Sequence, residues 1–266
     1  MLILLVLAIL AYGLLAYFFL PFFWRHYAAQ PAMSASPAVT RTKEGLPGDP
    51  LNVGLIGDET ELQQALAAAG WLPADPLRLQ SLWGMAKTLA LKKPYPQAPV
   101  SHLYLFDRKE DLAFEKVAGR TLKRRHHVRF WRADSLGNPG RPFWIGAATF
   151  DVGIGFSHYT GQILHHIAPD VDAERDRLMA DLQAAGRLES RYSVSGIGPT
   201  LNGRNGEGDW YYSDGDVAIG VLRAASEATA AGPRLVPPPA AVAVKNRLWA
   251  GLRRLLSRVV GKGRGD

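Results

Sequence analysis

The chain has 266 residues, no cysteine and a formal net charge of +7. This length allows one domain of ordinary size with additional segments at its ends. The lack of cysteine excludes disulfide-stapled folds and thiolate metal sites. Residues 240–266 contain seven basic side chains and one acidic side chain, so the tail alone carries +6. The preceding 239 residues carry only +1, and the basic character of the chain therefore belongs to its tail.

The first 24 residues contain no charged side chain, and Arg25 is the first. At about 1.5 Å per residue they form roughly 36 Å of helix, which is enough to cross a hydrocarbon core of about 30 Å. Aromatic residues gather at the far end, as at a membrane interface: Tyr17, Phe18, Phe19, Phe22, Phe23 and Trp24. We therefore expect a transmembrane anchor over residues 1–24. A cleaved signal peptide would need a positive start and a shorter apolar core. A buried soluble helix is the other alternative, but aromatic-rich helices of this length without a polar face are rare outside membranes.

Basic residues follow the apolar segment, and the positive-inside rule therefore places the rest of the chain on the cytoplasmic side: Arg25, Arg41 and Lys43. Residues 25–50 resemble a linker, with PAMSASPAVT followed by a turn at LPGDP. We expect one domain over residues 51–222, because no low-complexity tract or repeat interrupts it. A proline-rich linker, residues 223–239, separates this domain from the tail.

The elements of the domain alternate irregularly between helix and strand. NVGLIG predicts a buried strand, and Asp58 is placed to cap a helix that ends at Gly70. A second helix is expected from about residue 77 to 91. A strand-rich block follows, comprising HLYLFD, DLAFEK, HHVRFWRA, PFWIGAATFDV and IGFSHYT, with a turn at GNPGRP. A third helix from about Asp172 to Ala185 and short strands near Tyr192, Tyr211 and residues 217–222 complete it. The fold class we expect is α+β with a mostly antiparallel sheet.

The tail, residues 240–266, predicts an amphipathic helix. Its apolar residues recur on one side at helical spacing: Val244, Leu248, Trp249, Leu252, Leu255, Leu256, Val259 and Val260. The basic residues away from this stripe are Lys245, Arg247, Arg254, Arg258 and Lys262. A basic helix of this kind lies in a membrane interface and is attracted by anionic lipid headgroups. Docking on its own domain is the first alternative, and nucleic-acid binding is the least favoured.

Five of the seven histidines lie between Arg124 and Asp176, together with several carboxylates. Imidazole titrates near neutrality and is the commonest metal ligand. Adjacent residues of a strand point to opposite faces, so His127 shares a face with Arg129. His126 lies on the more apolar face, which we expect in the core. The candidate catalytic residues are His127, Arg129, Asp151, His158 and one of His165 and His166.

Two kinds of chemistry fit this histidine block. A metal site would use His127, His165 and Asp170, although the chain has no HExxH or EF-hand spacing, and helix capping explains Asp170 equally well. Phosphate binding would use the guanidinium groups of Arg124, Arg125, Arg129 and Arg132, with a histidine as acid, base or nucleophile. A solvated basic strand at a sheet edge is the alternative. No motif identifies a cofactor.

Eight segments in order are similar to the LssY-like C-terminal domain, from about Asp49 to Leu222. They are DPLNVGLIGD, GWLPADPL, YPQAPVSHLYLF, DLAFEK, RRHHVRFWR, HYTGQ, HHIAPDVDAERD and GIGPTLNGRNGEGD. The resemblance implies a bacterial membrane-associated protein of a family described as a component of type I secretion. That domain is often fused behind DedA-like and type 2 phosphatidic-acid phosphatase regions. Neither region is in this sequence, and Asp134 stands where the phosphatase signature requires lysine, seven residues before Arg141.

Two functions follow as hypotheses. The first is a single-pass protein of the bacterial inner membrane that serves as an accessory envelope or secretion-associated module. It would bind a lipid phosphate headgroup or a membrane or secretion protein. The second is a hydrolase, similar to a phosphoesterase, that uses the histidine block on lipid-linked phosphate. Imidazole and carboxylate groups that converge in a concave pocket would favour the enzyme.

Overall fold

The computed structural model describes residues 2–19, 38–43, 45–74, 102–119, 124–133, 140–156, 163–195, 203–205, 208–229 and 231–262. The helix predicted over residues 77–91 lies outside these ranges. So do His158 and the turn GNPG of residues 137–140, apart from Gly140.

Helix α1 spans Leu2–Leu14 and continues as a π-helix over Leu15–Phe19. The other helices are α2 (Glu59–Ala68), α3 (Val171–Ala184) and α4 (Ala240–Lys262), with a 3-10 turn at Ala225–Glu227. Of the helices that the structure describes, none is both long and apolar enough to cross a membrane. The anchor predicted over residues 1–24 therefore stays a prediction.

The strands are short except for β9. They are β1 (Val39–Arg41), β2 (Pro47–Pro50), β3 (Val53–Ile56), β4 (Leu72–Pro73), β5 (Tyr104–Leu105), β6 (Arg108–Lys109), β7 (Leu112–Val117), β8 (Arg125–Arg132), β9 (Phe143–Phe156), β10 (Ile163–Ile167), β11 (Leu188–Val194), β12 (Gly203–Arg204), β13 (Trp210–Tyr211), β14 (Val217–Leu222) and β15 (Arg234–Leu235). β1 and β2 lie inside the segment predicted as a linker, residues 25–50.

The main sheet has the order β15-β11-β14-β3-β9-β8-β7-β4, and β10 also pairs with β9. Among the strand pairs that the structure describes, only β11–β15 and β14–β3 are parallel. A small sheet has the order β2-β1-β5-β6, and β12 pairs with β13. The α+β class with a mostly antiparallel sheet is thus confirmed. Because β9 extends over 14 residues, it joins β3, β8 and β10 and forms the centre of the sheet.

Both faces of β8 are covered. Val128 and Phe130 pack in one core with Leu178 of α3 and Leu66 of α2. Trp131, on the alternate positions, packs in a second core. Strand alternation is therefore present as predicted, but burial does not distinguish the two faces, because seven of the eight residues of β8 are buried.

Two helices begin and end where the sequence predicts. Asp58 caps α2 in a capping box with Glu61, and Gly70 follows the helix with a φ of +79°, a conformation that favours glycine. Asp170 caps α3 by accepting a hydrogen bond from Ala173 N at 3.1 Å. Carboxylates at these positions satisfy backbone N–H groups that the helix leaves unpaired.

Helix α4 docks on the domain along one side only. Val242 and Trp249 are buried, Lys245 binds Asp216, and Arg253 Nε lies 2.8 Å from Asp170 Oδ2. Trp249 and Lys245 were predicted on the apolar stripe and on the polar side, respectively, and both instead belong to the docked side. Leu256 of the stripe is half-buried, and five other residues of the stripe are uncovered, with exposed fractions between 40% and 73%: Val244, Leu248, Leu252, Leu255 and Val259.

Candidate functional site

A cluster of polar side chains lies on the face of the main sheet opposite α2 and α3. We call it the β8 cluster, and its members are Asp49, Glu115, Arg125, His127, Arg129, Thr149, Asp151 and His165. All of them except His165 are buried. The register explains this convergence, because His127 is the direct partner of Glu115 on β7 and of Thr149 on β9. Neighbouring strands therefore place their polar positions side by side.

His127 lies at the centre of the β8 cluster. Its Nε2 is 2.9 Å from Thr149 Oγ1 and 2.8 Å from Arg129 Nη1. Because a guanidinium group can only donate, Nε2 accepts this hydrogen bond when the ring is neutral. Its Nδ1 lies 3.1 Å from Asp151 Oδ1, although the two atoms do not form a directed hydrogen bond. An aspartate, an imidazole and a hydroxyl thus follow one another in space.

Arg125 connects the carboxylates of the cluster. Its Nε is 3.2 Å from Asp151 Oδ2, its Nη1 donates to Glu115 Oε2 at 2.9 Å, and its Nη2 is 2.7 Å from His165 Nδ1. The same His165 nitrogen lies 3.1 Å from Asp151 Oδ2. Arg125 therefore lies between two buried carboxylates and supplies positive charge there.

Charge is nearly balanced within the cluster. The carboxylates of Asp49, Glu115 and Asp151 face the guanidinium groups of Arg125 and Arg129, and two imidazoles lie among them. Burial lowers the pKa of His127, but Asp151 opposes this effect and the pKa is raised overall, with Arg129 acting in the opposite direction. Burial also raises the pKa of Asp151, but His127 and His165 outweigh it and hold that pKa far below its usual range. The cluster is a buried ion network whose members depend on one another.

The β8 cluster offers little access to a substrate. Thr149 is 0% exposed, and the largest opening is at His165, whose side chain is 27% exposed. A hydroxyl nucleophile must reach its substrate, and Thr149 does not. No group of three histidine or carboxylate side chains in the described ranges is arranged to hold a metal ion. Arg125 stands where a cation would have to lie between Asp151 and Glu115.

A cavity of about 520 Å³ lies on the opposite face of the sheet, against α3. We call it the His126 cavity, because His126 of β8 forms part of its wall. Glu174 of α3 faces His126 Nδ1 with both carboxylate oxygens, at 2.8 and 3.0 Å. The imidazole ring packs on Phe150 with 4.6 Å between the ring centroids. The His126 side chain is 11% exposed and borders a cavity, whereas the His127 side chain is 5% exposed.

A larger cavity, of about 590 Å³, lies between α2 and β7. Its one histidine, His102, binds Glu110, and the other oxygen of Glu110 accepts from Leu103 N at 2.9 Å. This pair fixes the chain next to β5, and the described lining has no second titratable pair oriented toward the space.

The family described as LssY C-terminus matches residues 32–217. The chain belongs to this family. The match covers more than half of the chain and includes both the β8 cluster and the His126 cavity, whereas α4 lies beyond it. No curated protein and no solved structure matches the chain.

The LssY C-terminus domain brings together four of the predicted site residues: His127, Arg129, Asp151 and His165. His166 points elsewhere, with its Nδ1 2.8 Å from Asp209 Oδ1. Asp170 borders the His126 cavity and pairs with Arg253, so the structure does not place it with His127 and His165. His158 lies outside the described residues.

The sequence did not predict most of the residues that contact His127 and His126 in the LssY C-terminus domain. The register of β7, β8 and β9 brings Glu115 and Thr149 to His127, and Asp49 reaches it from β2 of the small sheet. Glu174 contacts His126 from 48 positions further along the chain. The sequence feature that helps to locate the site is the alternation of residues along β8, which places His126 and His127 on opposite faces of the sheet. Alternation does not indicate which elements cover each face.

Proposed function

We propose that this LssY C-terminus protein is a single-pass accessory module of a bacterial inner membrane, with α4 lying in the headgroup interface of an anionic leaflet. The apolar segment of residues 1–24 supplies the anchor, and the domain stands on the cytoplasmic side. Its partners are then the bilayer itself and membrane or secretion proteins. The role in type I secretion rests on the resemblance to the family alone.

The apolar stripe of α4 is the observation that carries this proposal. Five large apolar side chains, spaced along four turns of one helix, are uncovered: Val244, Leu248, Leu252, Leu255 and Val259. A soluble surface seldom exposes so continuous an apolar strip without a partner. Acyl chains provide such a partner for a helix that lies flat in the interface.

Arginines next to the stripe favour anionic lipid as that partner. Arg247, Arg254 and Arg258 are exposed, and their side chains form no ion pair within the described part of the chain. Each basic residue near an anionic leaflet contributes about 1 kcal/mol, so three contribute roughly 3 kcal/mol. Long arginine side chains also reach from an apolar contact to the phosphate layer.

The docked side fixes the rotation of α4 about its own axis. Lys245 binds Asp216, Trp249 Nε1 donates to Asp172 Oδ2 at 3.0 Å, and Arg253 binds Asp170. These contacts hold the uncovered apolar residues, which lie next to the docked side around the helix, away from the domain. The helix therefore presents the stripe as part of a rigid surface, and does not need to detach in order to bind lipid.

A hydrolase acting on lipid-linked phosphate is the second candidate. The observation that favours it is the His126–Glu174 pair, since a carboxylate that orients an imidazole is a common device for proton transfer. The β8 cluster, where we predicted catalysis, does not favour it, because Thr149 and His127 are enclosed.

The membrane contact can be tested with the full chain in nanodiscs, which leave both sides of the bilayer accessible. Trypsin cleavage after Arg247, Arg254 and Arg258 should be at least tenfold slower in phosphatidylglycerol discs than in phosphatidylcholine discs, because roughly 3 kcal/mol of attraction is lost without anionic lipid. Mass spectrometry of the released peptides measures the rates.

A double variant, Leu248→Gln with Leu252→Gln, should lose this protection, since both side chains are exposed and their replacement leaves the docked side intact. Leu235→Gln is the matched control, because Leu235 is 68% exposed on β15 and outside the stripe. Equal cleavage rates in the two kinds of disc, or protection that survives the double variant, would contradict the proposal.

A further inference from the structure

His126 presents a free ring nitrogen to the His126 cavity. Glu174 occupies the Nδ1 side of the ring with both oxygens. The other nitrogen, Nε2, forms no hydrogen bond with any residue that the structure describes, and it is not among the enclosed atoms that lack a partner. It is therefore open to the cavity and available to a ligand.

Within the described residues, one guanidinium group of the cavity has no carboxylate partner. The three carboxylates of the described lining are each paired with another side chain: Glu174 with the His126 imidazole, Asp170 with Arg253 at 2.8 Å, and Asp181 with Lys116 at 2.8 Å. Arg177 of α3 also lines the cavity and is exposed, and it forms no ion pair among the described residues. An anion entering the cavity therefore meets one guanidinium group that has no competing carboxylate.

Arg124 adds a second guanidinium group at the rim. Its guanidinium carbon lies 5.6 Å from the centroid of Phe150, which forms part of the cavity wall. Stacking on a ring leaves the N–H groups of an arginine free to donate. Arg177 and His126 thus line a space of about 520 Å³, and Arg124 lies against Phe150 of its wall.

We propose that the His126 cavity is a binding site for a phosphomonoester group. Arg177 binds two phosphate oxygens through its planar fork, His126 Nε2 donates to or accepts from a third, and Arg124 adds charge at the entrance. Guanidinium groups match phosphate geometry in this bidentate manner. The site lies on the opposite face of β8 from the cluster that the sequence predicts.

The position of the cavity fits both a soluble and a membrane-borne phosphomonoester. A smaller cavity, of about 390 Å³, is lined by Arg253, Arg254 and Ser257 of α4 and shares Asp170 with the His126 cavity. The site therefore opens beside the basic side of α4. Phosphomonoester binding at this site is a different property from the contact of α4 with lipid. It does not depend on that contact, because all the side chains that bind the phosphate belong to the domain.

Calorimetry on the full chain in nonionic detergent tests the site with sn-glycerol 3-phosphate as the probe. Wild type should bind it, and Arg177→Gln should weaken binding about tenfold or more, since a charged bidentate contact is lost. His126→Asn should weaken it as well. Arg234→Gln is the control, because Arg234 is exposed on β15 and away from the cavity. Arg177 is exposed, so its variant keeps the fold even if His126→Asn does not.

Nanodiscs with phosphatidic acid, compared with phosphatidylglycerol, separate the two sources of the ligand. Binding of the soluble probe supports a free phosphomonoester, and preference for phosphatidic acid that Arg177→Gln abolishes supports a lipid headgroup. The site is refuted if neither probe binds, or if Arg177→Gln binds like wild type. Because detergent contains no bilayer, failure of the α4 contact does not affect the calorimetric result.

Discussion

Replacing Asp151 by asparagine should lower the free energy of unfolding by about 3–5 kcal/mol, because the buried guanidinium group of Arg125 loses one of its two carboxylates and His127 loses its carboxylate neighbour. Asp151 is 1% exposed and lies 3.2 Å from Arg125 Nε and 3.1 Å from His127 Nδ1. The asparagine has nearly the same volume, so the loss measures charge and not packing. Urea unfolding of the full chain in nonionic detergent, followed by tryptophan fluorescence, gives the difference.

The deficit of Asp151→Asn should shrink in acid. The pKa of Asp151 is held below its usual range by His127 and His165 against the opposing effect of burial. A carboxylate with a lowered pKa stabilises the fold above its unfolded pKa, about 4, and loses that contribution as the pH falls toward its folded pKa. The difference from wild type should therefore decrease from about pH 5 downward.

Glu189→Gln is the control for this prediction. The Glu189 side chain is 57% exposed and lies 4.0 Å from Arg141, so its neutralisation should change stability by no more than about 0.5 kcal/mol. An Asp151→Asn variant as stable as Glu189→Gln at pH 7 would show that the β8 cluster does not hold the sheet together.

Replacing Arg175 by methionine should also cost about 3–5 kcal/mol, because two carboxylates lose the guanidinium group between them. Arg175 donates to both oxygens of Asp214, at 2.6 and 3.0 Å, and lies 3.4 Å from Asp172 Oδ1. Burial raises the pKa of Asp172 to about 6, even though Arg175 opposes the rise. Since Trp249 donates to Asp172, the loss should also loosen α4.

Arg177→Met supplies a control on the same helix. Arg177 is exposed two positions after Arg175 and has no ion pair in the described ranges, so its replacement should change stability by no more than about 0.5 kcal/mol. The same urea titration compares the two variants. Equal midpoints for Arg175→Met and Arg177→Met would refute the role assigned to the buried pair.

Local patterns predicted elements and capping residues well. Asp58 before α2 and Asp170 before α3 cap their helices by accepting hydrogen bonds from backbone N–H groups three positions further on. Alternation on β8 correctly placed His127 and Arg129 on one face. The same rule could not reveal that both faces are covered, because coverage depends on helices and strands that are distant in sequence.

His126 shows most clearly why part of the site escaped prediction. Its neighbours Val128 and Phe130 are apolar and point to the core, so the sequence predicts a core position for it. The cavity exists because α3 crosses that face and brings Glu174 to the ring. Glu174 lies 48 positions from His126 in the chain, so the sequence around His126 does not reveal that the two side chains are in contact.

Helix α4 shows a similar limit of periodicity. The spacing predicted an apolar stripe, and five of its residues are indeed uncovered. Trp249 follows Leu248 by one position, about 100° around the helix, and at that edge it joins the docked side. Periodicity defines the apolar side of a helix, but it does not say whether protein or lipid covers it.

The depth of α4 in a bilayer is the most direct test of the proposed function. The chain has no cysteine, so one nitroxide can be attached at Leu252→Cys on the stripe, or at Ala250→Cys, which is exposed on the other side. In phosphatidylglycerol nanodiscs, the Leu252 label should be accessible to oxygen and shielded from a water-soluble nickel chelate, and the Ala250 label should show the reverse. Equal access of the chelate to both labels would contradict the membrane contact. So would spin–spin broadening in detergent, which would mean that a second copy covers the stripe.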